Sequence, residues 1–350
     1  MTNGAIALIG QHTIWQRLRD DLVSGRVPHA LMFTGPSGAG KLALAVAYAQ
    51  ALLCQHPQDN GEPCGECSSC KMAAKLEHPD LHFTFPIVKG SRIKTPEGAI
   101  SDVYIKEWRA RVLQSPYFDL NDWLEDMGAT NQQALYYVAE ADNIQRKLTL
   151  KSNQGGRKVM VIWLPEKMNQ ETANKLLKLF EEPPAGTHFL MVSEEPDLVL
   201  GTILSRTQRI LVPPLSHEEY MQAHPPKDER MFLDLFIMLM RLSYQRKVKD
   251  LREWSEQLAG MGRETQKSFL QFCQRQVREN FIYNFRLSEL NSQSPEEADF
   301  SKNFARFVNE RNVIPITEEL AKAETDIAQN VNARMVFFDL ALQMIVLLIK

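Results

Sequence analysis

The sequence predicts an α/β domain with a parallel sheet, followed by an all-α domain. From about residue 5 to residue 213, short apolar runs typical of buried strands alternate with helical patterns, as in repeated βαβ units. From residue 228 to the end, apolar residues recur at helical spacing in segments such as MFLDLFIMLMRLSYQRKV. The 350 residues are enough for two or three domains with cores of their own.

The elements of the first domain follow in order along the chain. A strand is predicted in HALMFTG, and a glycine-rich loop connects it to the apolar helix LALAVAYAQALL. Further strands are predicted in KVMVIWL and THFLMVS, and the helix ETANKLLKLFEEPP between them ends at two prolines. The segment from about 86 to 143 carries helical pieces and is interpreted as an insertion. We therefore expect an α/β domain over 1–215, a linker over 216–229 and a helical domain over 230–350.

The composition is that of an ordinary globular protein, with 44% hydrophobic and 24% charged residues. The formal net charge of −3 excludes a strongly basic chain, but it does not exclude a local basic surface. The N-terminal residues show no basic segment followed by an apolar core, so no secretory signal is predicted. The most apolar run, 335–349, is too short for a membrane span and is interpreted as a buried amphipathic helix. We expect a cytoplasmic protein.

Four of the five cysteines lie close together with the spacing C-x9-C-x2-C-x2-C: Cys54, Cys64, Cys67 and Cys70. Disulfides are unusual in a reducing cytoplasm, whereas Zn²⁺ prefers four thiolates in closed structural sites. We therefore predict a small zinc module over 54–70, with free or redox-active thiols as the alternative. The fifth cysteine, Cys273, falls in an apolar helical pattern and is expected to pack in a core.

The glycine-rich loop GPSGAGKL, residues 35–42, matches a phosphate-binding loop at all positions but one. Gly35, Gly40 and Lys41 fit the pattern G-x-x-x-x-G-K-[ST], between a predicted strand and a predicted helix. Backbone N–H groups of such a loop surround phosphates, and its lysine reaches the β- and γ-phosphates. Leu42 stands where a serine or threonine hydroxyl would bind Mg²⁺. A glycine-rich turn without any ligand is the alternative interpretation.

The strand that should complete a magnesium site also lacks the required groups. An Asp-Glu pair normally ends that strand, but this chain has Trp163 and Leu164 there. Glu166 follows at an offset that does not suit the same role. Two losses that affect one metal predict that the chain does not hydrolyse ATP. We do not expect ATP and Mg²⁺ in the loop of this chain, although its sequence does not exclude weak nucleotide binding.

Several motifs occur in an order that resembles the clamp-loader branch of the AAA+ proteins: RVPHALMFTGPSGAGK, the four-cysteine segment, NKLLKLFEEPP and TILSRTQRI. The resemblance covers the α/β domain apart from 86–143, and the helical region is more loosely similar to the collar domain of that family. Members that hydrolyse ATP keep Ser/Thr and Asp-Glu at the positions of Leu42 and Trp163-Leu164. The δ′ type of bacterial DNA polymerase III commonly lacks them, so the chain is most similar to the δ′ type.

The resemblance implies a P-loop (AAA+) domain with a zinc module and an all-α collar, and it assigns roles to individual residues. The zinc ligands of the family correspond to the four clustered cysteines. LSRTQ is similar to the Ser-Arg-Cys motif of the family, which makes Arg206 an arginine finger for a neighbouring subunit's ATP site. Ser205 is expected to support the turn, and Thr207 replaces the cysteine. A guanidinium can stabilise charge on a transferring γ-phosphoryl group in trans. The alternative is that Arg206 only caps a loop or pairs with a nearby carboxylate.

The function implied by the resemblance is that of a non-hydrolysing, structural (stator) subunit of a clamp loader. Its expected partners are δ and γ/τ subunits in a hetero-pentameric ring and, through the complex, the sliding clamp and primer–template DNA, with no membrane contact. An ATP-hydrolysing motor subunit of the γ/τ type and a zinc-containing, AAA+-derived adaptor outside replication are the alternatives. The linker 216–229 is too short for the helical lid of the family, which normally contributes a nucleotide-sensing arginine. Neither Ser193 nor Glu194, near the first sensor position of the family, is assigned a catalytic role.

Overall fold

The structure is a computed structural model that describes residues 6–90, 92–129, 132–150, 152, 156–224, 230–285 and 293–348. The chain divides into two compact units, Met1–Pro225 and Pro226–Lys350. Residues 225–229 of the expected linker lie outside the described residues, as do 91, 130 and 131 of the expected insertion. Within the described ranges, no helix is long and apolar enough to cross a bilayer.

The first unit is built on a five-stranded parallel sheet. Its strands are β1 (Ala30–Thr34), β2 (Leu81–Thr84), β3 (Lys158–Trp163), β4 (Thr187–Ser193) and β5 (Gln208–Leu211). They lie in the order β2-β3-β4-β1-β5, and all four pairings are parallel. The three strands predicted from the sequence correspond to β1, β3 and β4, so the predicted parallel α/β fold is confirmed. The edge strands β2 and β5 were not predicted.

Helices cover both faces of this sheet. They are α1 (His12–Val23), α2 (Lys41–Leu53), α3 (Ser68–Ala74), α4 (Ile105–Gln114), α5 (Leu120–Asp126), α6 (Val138–Thr149), α7 (Gln170–Glu181), α8 (Gly201–Leu204) and α9 (His217–Ala223). Leu31 and Phe33 of β1 pack into the core that includes α1 and α2, whereas Ala30 and Met32 pack into the core that includes α6 and α7. Strands buried on both faces are apolar throughout, which explains the continuous runs in the sequence.

The segment 86–143 joins the core of the first unit through an aromatic cluster. Trp108 and Trp123 are both fully buried. The Trp108 ring stacks on Phe85, which follows β2, with 4.2 Å between ring centroids, and it lies 5.2 Å from the ring of Trp163 at the end of β3. Such aromatic contacts add to the free energy of area burial. Trp163, at the end of β3, is therefore part of this core.

In the part of the second unit that the structure describes, six α-helices pack around one core. They are α10 (Arg230–Tyr244), α11 (Val248–Ala259), α12 (Arg263–Tyr283), α13 (Pro295–Phe304), α14 (Val313–Ala328) and α15 (Ala333–Leu347). The predicted helical C-terminal region is thus confirmed over the residues that the structure describes. Cys273 is fully buried in this core, as predicted, and burial raises the pKa of its thiol. The apolar run predicted as an amphipathic helix forms α15, of which one side is buried.

Candidate functional site

The glycine-rich loop connects the carboxyl end of β1 to the N-terminus of α2. Ligands of parallel α/β sheets bind at this edge. Gly40 precedes α2 with a φ of +81°, a conformation that favours glycine. A Cβ atom at Gly35 would lie 2.2 Å from the carbonyl oxygen of Val212, so only glycine fits there. Gly35, Gly40 and Lys41, which the sequence predicts as one site, therefore lie together at this edge of the sheet, and their role in phosphate binding stays a prediction.

The ammonium group of Lys41 is bound by the loop itself. Its Nζ donates hydrogen bonds to the carbonyl oxygens of Gly35 (2.9 Å) and Pro36 (2.5 Å). It also lies 3.7 Å from a carboxylate oxygen of Glu194. The side chain is only 3% exposed; burial lowers the pKa of Lys41, while Glu194 and Glu166 partly raise it. The group that would reach a nucleotide's phosphates is thus held inside the protein.

Glu194 and Glu166 connect the ends of β4 and β3 beside the loop. Oε1 of Glu166 accepts hydrogen bonds from the backbone N–H groups of Glu194 (2.8 Å) and Glu195 (3.2 Å). Burial raises the pKa of Glu194, and the nearby Lys41 ammonium partly lowers it. Leu42 is 4% exposed and packs in the core, and its hydrocarbon side chain has no oxygen to offer at this edge. The two acids therefore order the backbone and neutralise Lys41.

Aromatic side chains cover the glycines of the loop. A Cβ atom at Gly40 would lie 2.9 Å from Cε1 of Tyr117, and one at Gly38 would lie 2.9 Å from Cε2 of Tyr220. The hydroxyl of Tyr117 accepts a hydrogen bond of 2.7 Å from the backbone N–H of Ile9. The ring of Tyr220 stacks on that of His224 with 4.3 Å between centroids. Tyr117 comes from the insertion and Tyr220 from α9, so two segments without an assigned role meet at the loop.

Sequence reasoning missed both of these contacts. One signal could have revealed α9: its first turn has a capping box, in which Ser216 and Glu219 each bind the other's backbone N–H. Nothing local in the sequence marks Tyr117, because its partners in the loop lie far from it along the chain. Glu194 was noticed near the sensor position, but its pairing with Lys41 was not expected.

Arg206 lies in the turn between α8 and β5, at the edge of the sheet. Its guanidinium donates to the carbonyl oxygen of Thr202 (2.6 Å) and forms an ion pair with Glu181. The hydroxyl of Ser205 donates to the same carbonyl oxygen (3.1 Å) and accepts from Arg206 (3.2 Å). The side chain of Arg206 is 32% exposed. In the isolated chain, the arginine thus has a local carboxylate partner and remains accessible from outside.

The four clustered cysteines form a second site, at the end of α2 and the start of α3. Their sulfur atoms all lie within 4.8 Å of one another, with Cys54–Cys64 at 3.6 Å and Cys64–Cys70 at 3.8 Å. A tetrahedron with Zn–S bonds of about 2.3 Å places neighbouring sulfurs about 3.8 Å apart, so the four residues fit a metal ion of this kind. The backbone N–H of Cys67, which donates to the Cys64 sulfur, lowers the pKa of Cys64 to about 6. Burial raises the pKa of Cys54 and that of Cys70, so of these three thiols Cys64 provides a thiolate most readily.

A family model described as "DNA polymerase III, delta subunit" matches residues 10–216, which is more than half of the chain. The chain belongs to this family. The delta′ subunit of DNA polymerase III from Pseudomonas aeruginosa is 32% identical over 194 residues, which cover 55% of this chain and 46% of that protein. The delta′ subunit from Bacillus subtilis is 27% identical over 205 residues, covering 59% and 48%. The chain thus spans about half the length of the curated delta′ relatives that it matches.

Similarity also extends to tau subunits of DNA polymerase III. The tau subunit of DNA polymerase III from Bacillus subtilis is 29% identical over 203 residues, covering 58% of this chain and 28% of that protein. The crystal structure of a DNA polymerase III gamma subunit-related protein from Thermotoga maritima aligns with 95% of this chain and 99% of its own chain, with a TM-score of 0.39 and 12% sequence identity. The predicted clamp-loader family is confirmed by the sequence comparisons, whereas the roles of the individual site residues stay predictions.

Proposed function

We propose that the chain acts as a non-hydrolysing δ′ subunit in a DNA polymerase III clamp loader. The observation that carries this proposal is the state of Lys41, whose ammonium is buried and bound by Gly35, Pro36 and Glu194. A nucleotide would have to displace these partners and the Tyr117 ring before its phosphates could reach the loop. With Leu42 and Trp163 packed in the core, the magnesium ion needed for phosphoryl transfer would have no protein ligand at either usual position.

The contribution of the chain to ATP hydrolysis would come from Arg206, in the site of a neighbouring subunit. Its turn leaves the guanidinium partly accessible, and the ion pair with Glu181 is on the surface, where such pairs contribute only about 0–1 kcal/mol. Arg206 can therefore exchange Glu181 for a phosphate at little cost. Leu198 and Leu211, which precede and follow it in the chain, are 62% and 74% exposed, as expected of a surface that a partner covers.

The helical unit would hold the subunit in the ring. On α15, Met335, Phe338, Leu342 and Val346 recur at helical spacing, and Met335 and Val346 are 70% and 54% exposed. An apolar stripe of this kind on the side of a helix that faces away from its core is typical of an interface. The four-cysteine site would bind structural Zn²⁺, since four thiolates close the coordination shell and leave no open position for catalysis. Contact with the sliding clamp and primer–template DNA would be made through the complex.

ATP binding and turnover of the purified chain test the first part. We expect no measurable phosphate release, and no change on Lys41→Ala, because the lysine is already occupied by the loop. Measurable ATP turnover that is lost in Lys41→Ala would overturn the δ′ proposal. It would support the alternative suggested by the similarity to tau, namely a γ/τ-type motor subunit. Association with purified δ and γ/τ proteins, measured by gel filtration, separates a clamp-loader subunit from an adaptor outside replication, which would not associate.

Substitution of Arg206 in a reconstituted complex tests the second part. Arginine fingers contribute about 10³–10⁵ in turnover at the site they serve, so we expect Arg206→Ala to reduce DNA-stimulated ATPase at least tenfold without preventing assembly. Arg206→Lys should be nearly as impaired, since an ammonium lacks the planar fork. Two matched controls should keep full activity: Arg209→Ala, at an exposed arginine of the adjoining edge strand β5, and Glu181→Gln. Unchanged ATPase in Arg206→Ala would refute the finger assignment.

A further inference from the structure

An apolar groove lies on the surface of the helical unit, between α10 and α13. Its volume is about 210 Å³, and apolar side chains of both helices and of the end of α15 line its floor: Ile237, Met240, Phe300, Phe304 and Leu348. The groove is smaller than the roughly 300 Å³ at which small-molecule pockets usually begin. It is therefore suited to one or two apolar side chains and not to a cofactor.

Two arginines stand at the rim of this groove with aromatic rings beside them. Arg306 lies over the ring of Phe307 at 4.9 Å, and that ring lies 5.0 Å from the ring of Tyr244. Arg241 is the second cation of the groove lining, one helical turn before Tyr244. Neither guanidinium forms an ion pair with a carboxylate within the described part of the chain. Arginine and tyrosine are the side chains that most often dominate binding energy at interfaces.

More positive charge follows at the turn between α10 and α11. Three cations are exposed: Arg246 and Lys247 in the turn itself, and Lys249 in the first turn of α11. None of them forms an ion pair with an acid among the described residues. The whole chain carries a formal net charge of −3, so a local run of cations is not simply its average surface. A positive rim around an apolar floor is complementary to a segment with both carboxylates and bulky apolar side chains.

We propose that this α10–α13 groove binds an acidic amphipathic segment of a partner protein. Apolar side chains of the segment would fill the groove, and its carboxylates would pair with Arg241 and Arg306, whose planar guanidinium groups suit bidentate contacts. A nucleic acid strand, whose bases stack on aromatic rings, is the competing ligand for a basic surface. The aliphatic part of the floor, Ile237, Met240 and Leu348, instead suits aliphatic side chains. The combination of floor and rim therefore favours a peptide over DNA or RNA.

Fluorescence anisotropy of the full chain with three labelled peptides tests this proposal. The first carries Phe and Leu flanked by glutamates, the second carries glutamates with alanine at the two apolar positions, and the third carries Phe and Leu flanked by lysines. We expect the first to bind at least tenfold more tightly than either of the others. Equal binding of the lysine peptide, or binding of none at the highest concentration measured, would overturn the proposal.

Variants then locate the binding site. Arg241→Ala combined with Arg306→Ala should weaken the first peptide at least tenfold, and Ile237→Trp, which fills the groove without changing charge, should do the same. Arg252→Ala combined with Arg263→Ala removes equal charge from exposed positions outside the groove and should leave affinity unchanged. Circular dichroism verifies that each variant is folded. If a labelled single-stranded oligonucleotide loses affinity with the first pair while the peptide is unaffected, the surface binds nucleic acid and the proposal is wrong.

Discussion

The position of Tyr117 against the loop can be tested by adding one methyl group, with Gly40→Ala. The backbone φ of +81° should cost about 1–2 kcal/mol for any residue with a Cβ. The new Cβ would also lie 2.9 Å from Cε1 of Tyr117, and overpacking of this kind costs about 1–3 kcal/mol. We therefore expect Gly40→Ala to lower the free energy of unfolding by about 2–5 kcal/mol.

Only the second part of this cost depends on Tyr117, so a double-mutant cycle isolates it. Tyr117→Leu keeps an apolar side chain but ends near ring atom Cδ1, whose distance from the Cβ would be 3.7 Å, an ordinary contact. In that background, Gly40→Ala should cost only about 1–2 kcal/mol, which gives a coupling free energy of about 1–3 kcal/mol.

Urea unfolding followed by tryptophan fluorescence measures all four proteins of the cycle. Four of the five tryptophans, Trp15, Trp108, Trp123 and Trp163, belong to the first unit, so the signal reports on the unit that contains the loop. Distant, independent substitutions add to within about 0.3–0.5 kcal/mol. Additivity within that margin would refute the argument that the Tyr117 ring occupies the space above Gly40, and with it one of the reasons for excluding a nucleotide.

Three further outcomes follow from the structure. Cys70→Ser should lower the zinc content, measured by elemental analysis, from about one ion per chain to well below that value, whereas Cys273→Ala, in a separate core, should leave it unchanged. Burial, with the nearby Lys147, lowers the pKa of His82 to about 4, below its value near 6.5 in the unfolded state. Between these two pH values the unfolded state binds more protons, so the stability present above pH 6.5 should be lost as the pH falls toward 4, by at most about 1.4 kcal/mol per pH unit. In urea titrations at several pH values, His82→Gln should show a flatter pH dependence of the free energy of unfolding. Trp108→Ala should cost about 3–5 kcal/mol in the same assay and reduce the near-ultraviolet circular dichroism, and a cost below about 1 kcal/mol would show that 86–143 is not part of the core.

The central strands were predictable because burial on both faces makes them apolar along their whole length. β1, β3 and β4 each contain at least five consecutive buried or nearly buried residues. β5 is an edge strand in which only Ile210 is buried, so its sequence QRIL carries no strand pattern. α1 was missed for a related reason: Gln11 precedes it in a left-handed conformation and its side chain makes no capping hydrogen bond, so no start signal is present.

The local parts of the site were predictable, and the parts assembled by the fold were not. The loop and the four cysteines are defined by short spacings, so sequence alone identified them. Glu194 reaches Lys41 because Thr34 of β1 pairs with Ser193 of β4, which places the next residues, Gly35 and Glu194, side by side at the sheet edge. That register follows from the pairing of strands far apart in the sequence, and no single segment encodes it.

The substitutions on which the proposal of a non-hydrolysing loop depends are connected through packing. Leu42 and Trp163, at the positions where the family pattern predicts a magnesium-binding hydroxyl and an acid, belong to one core cluster, and Trp163 contacts the aromatic residues of the insertion that also supplies Tyr117. Restoring a serine or an aspartate at these positions would place a polar group among apolar neighbours, which costs free energy unless a partner is added. Under the proposed function, such a chain keeps the arrangement of the fold and presents Arg206 at its edge without a nucleotide of its own.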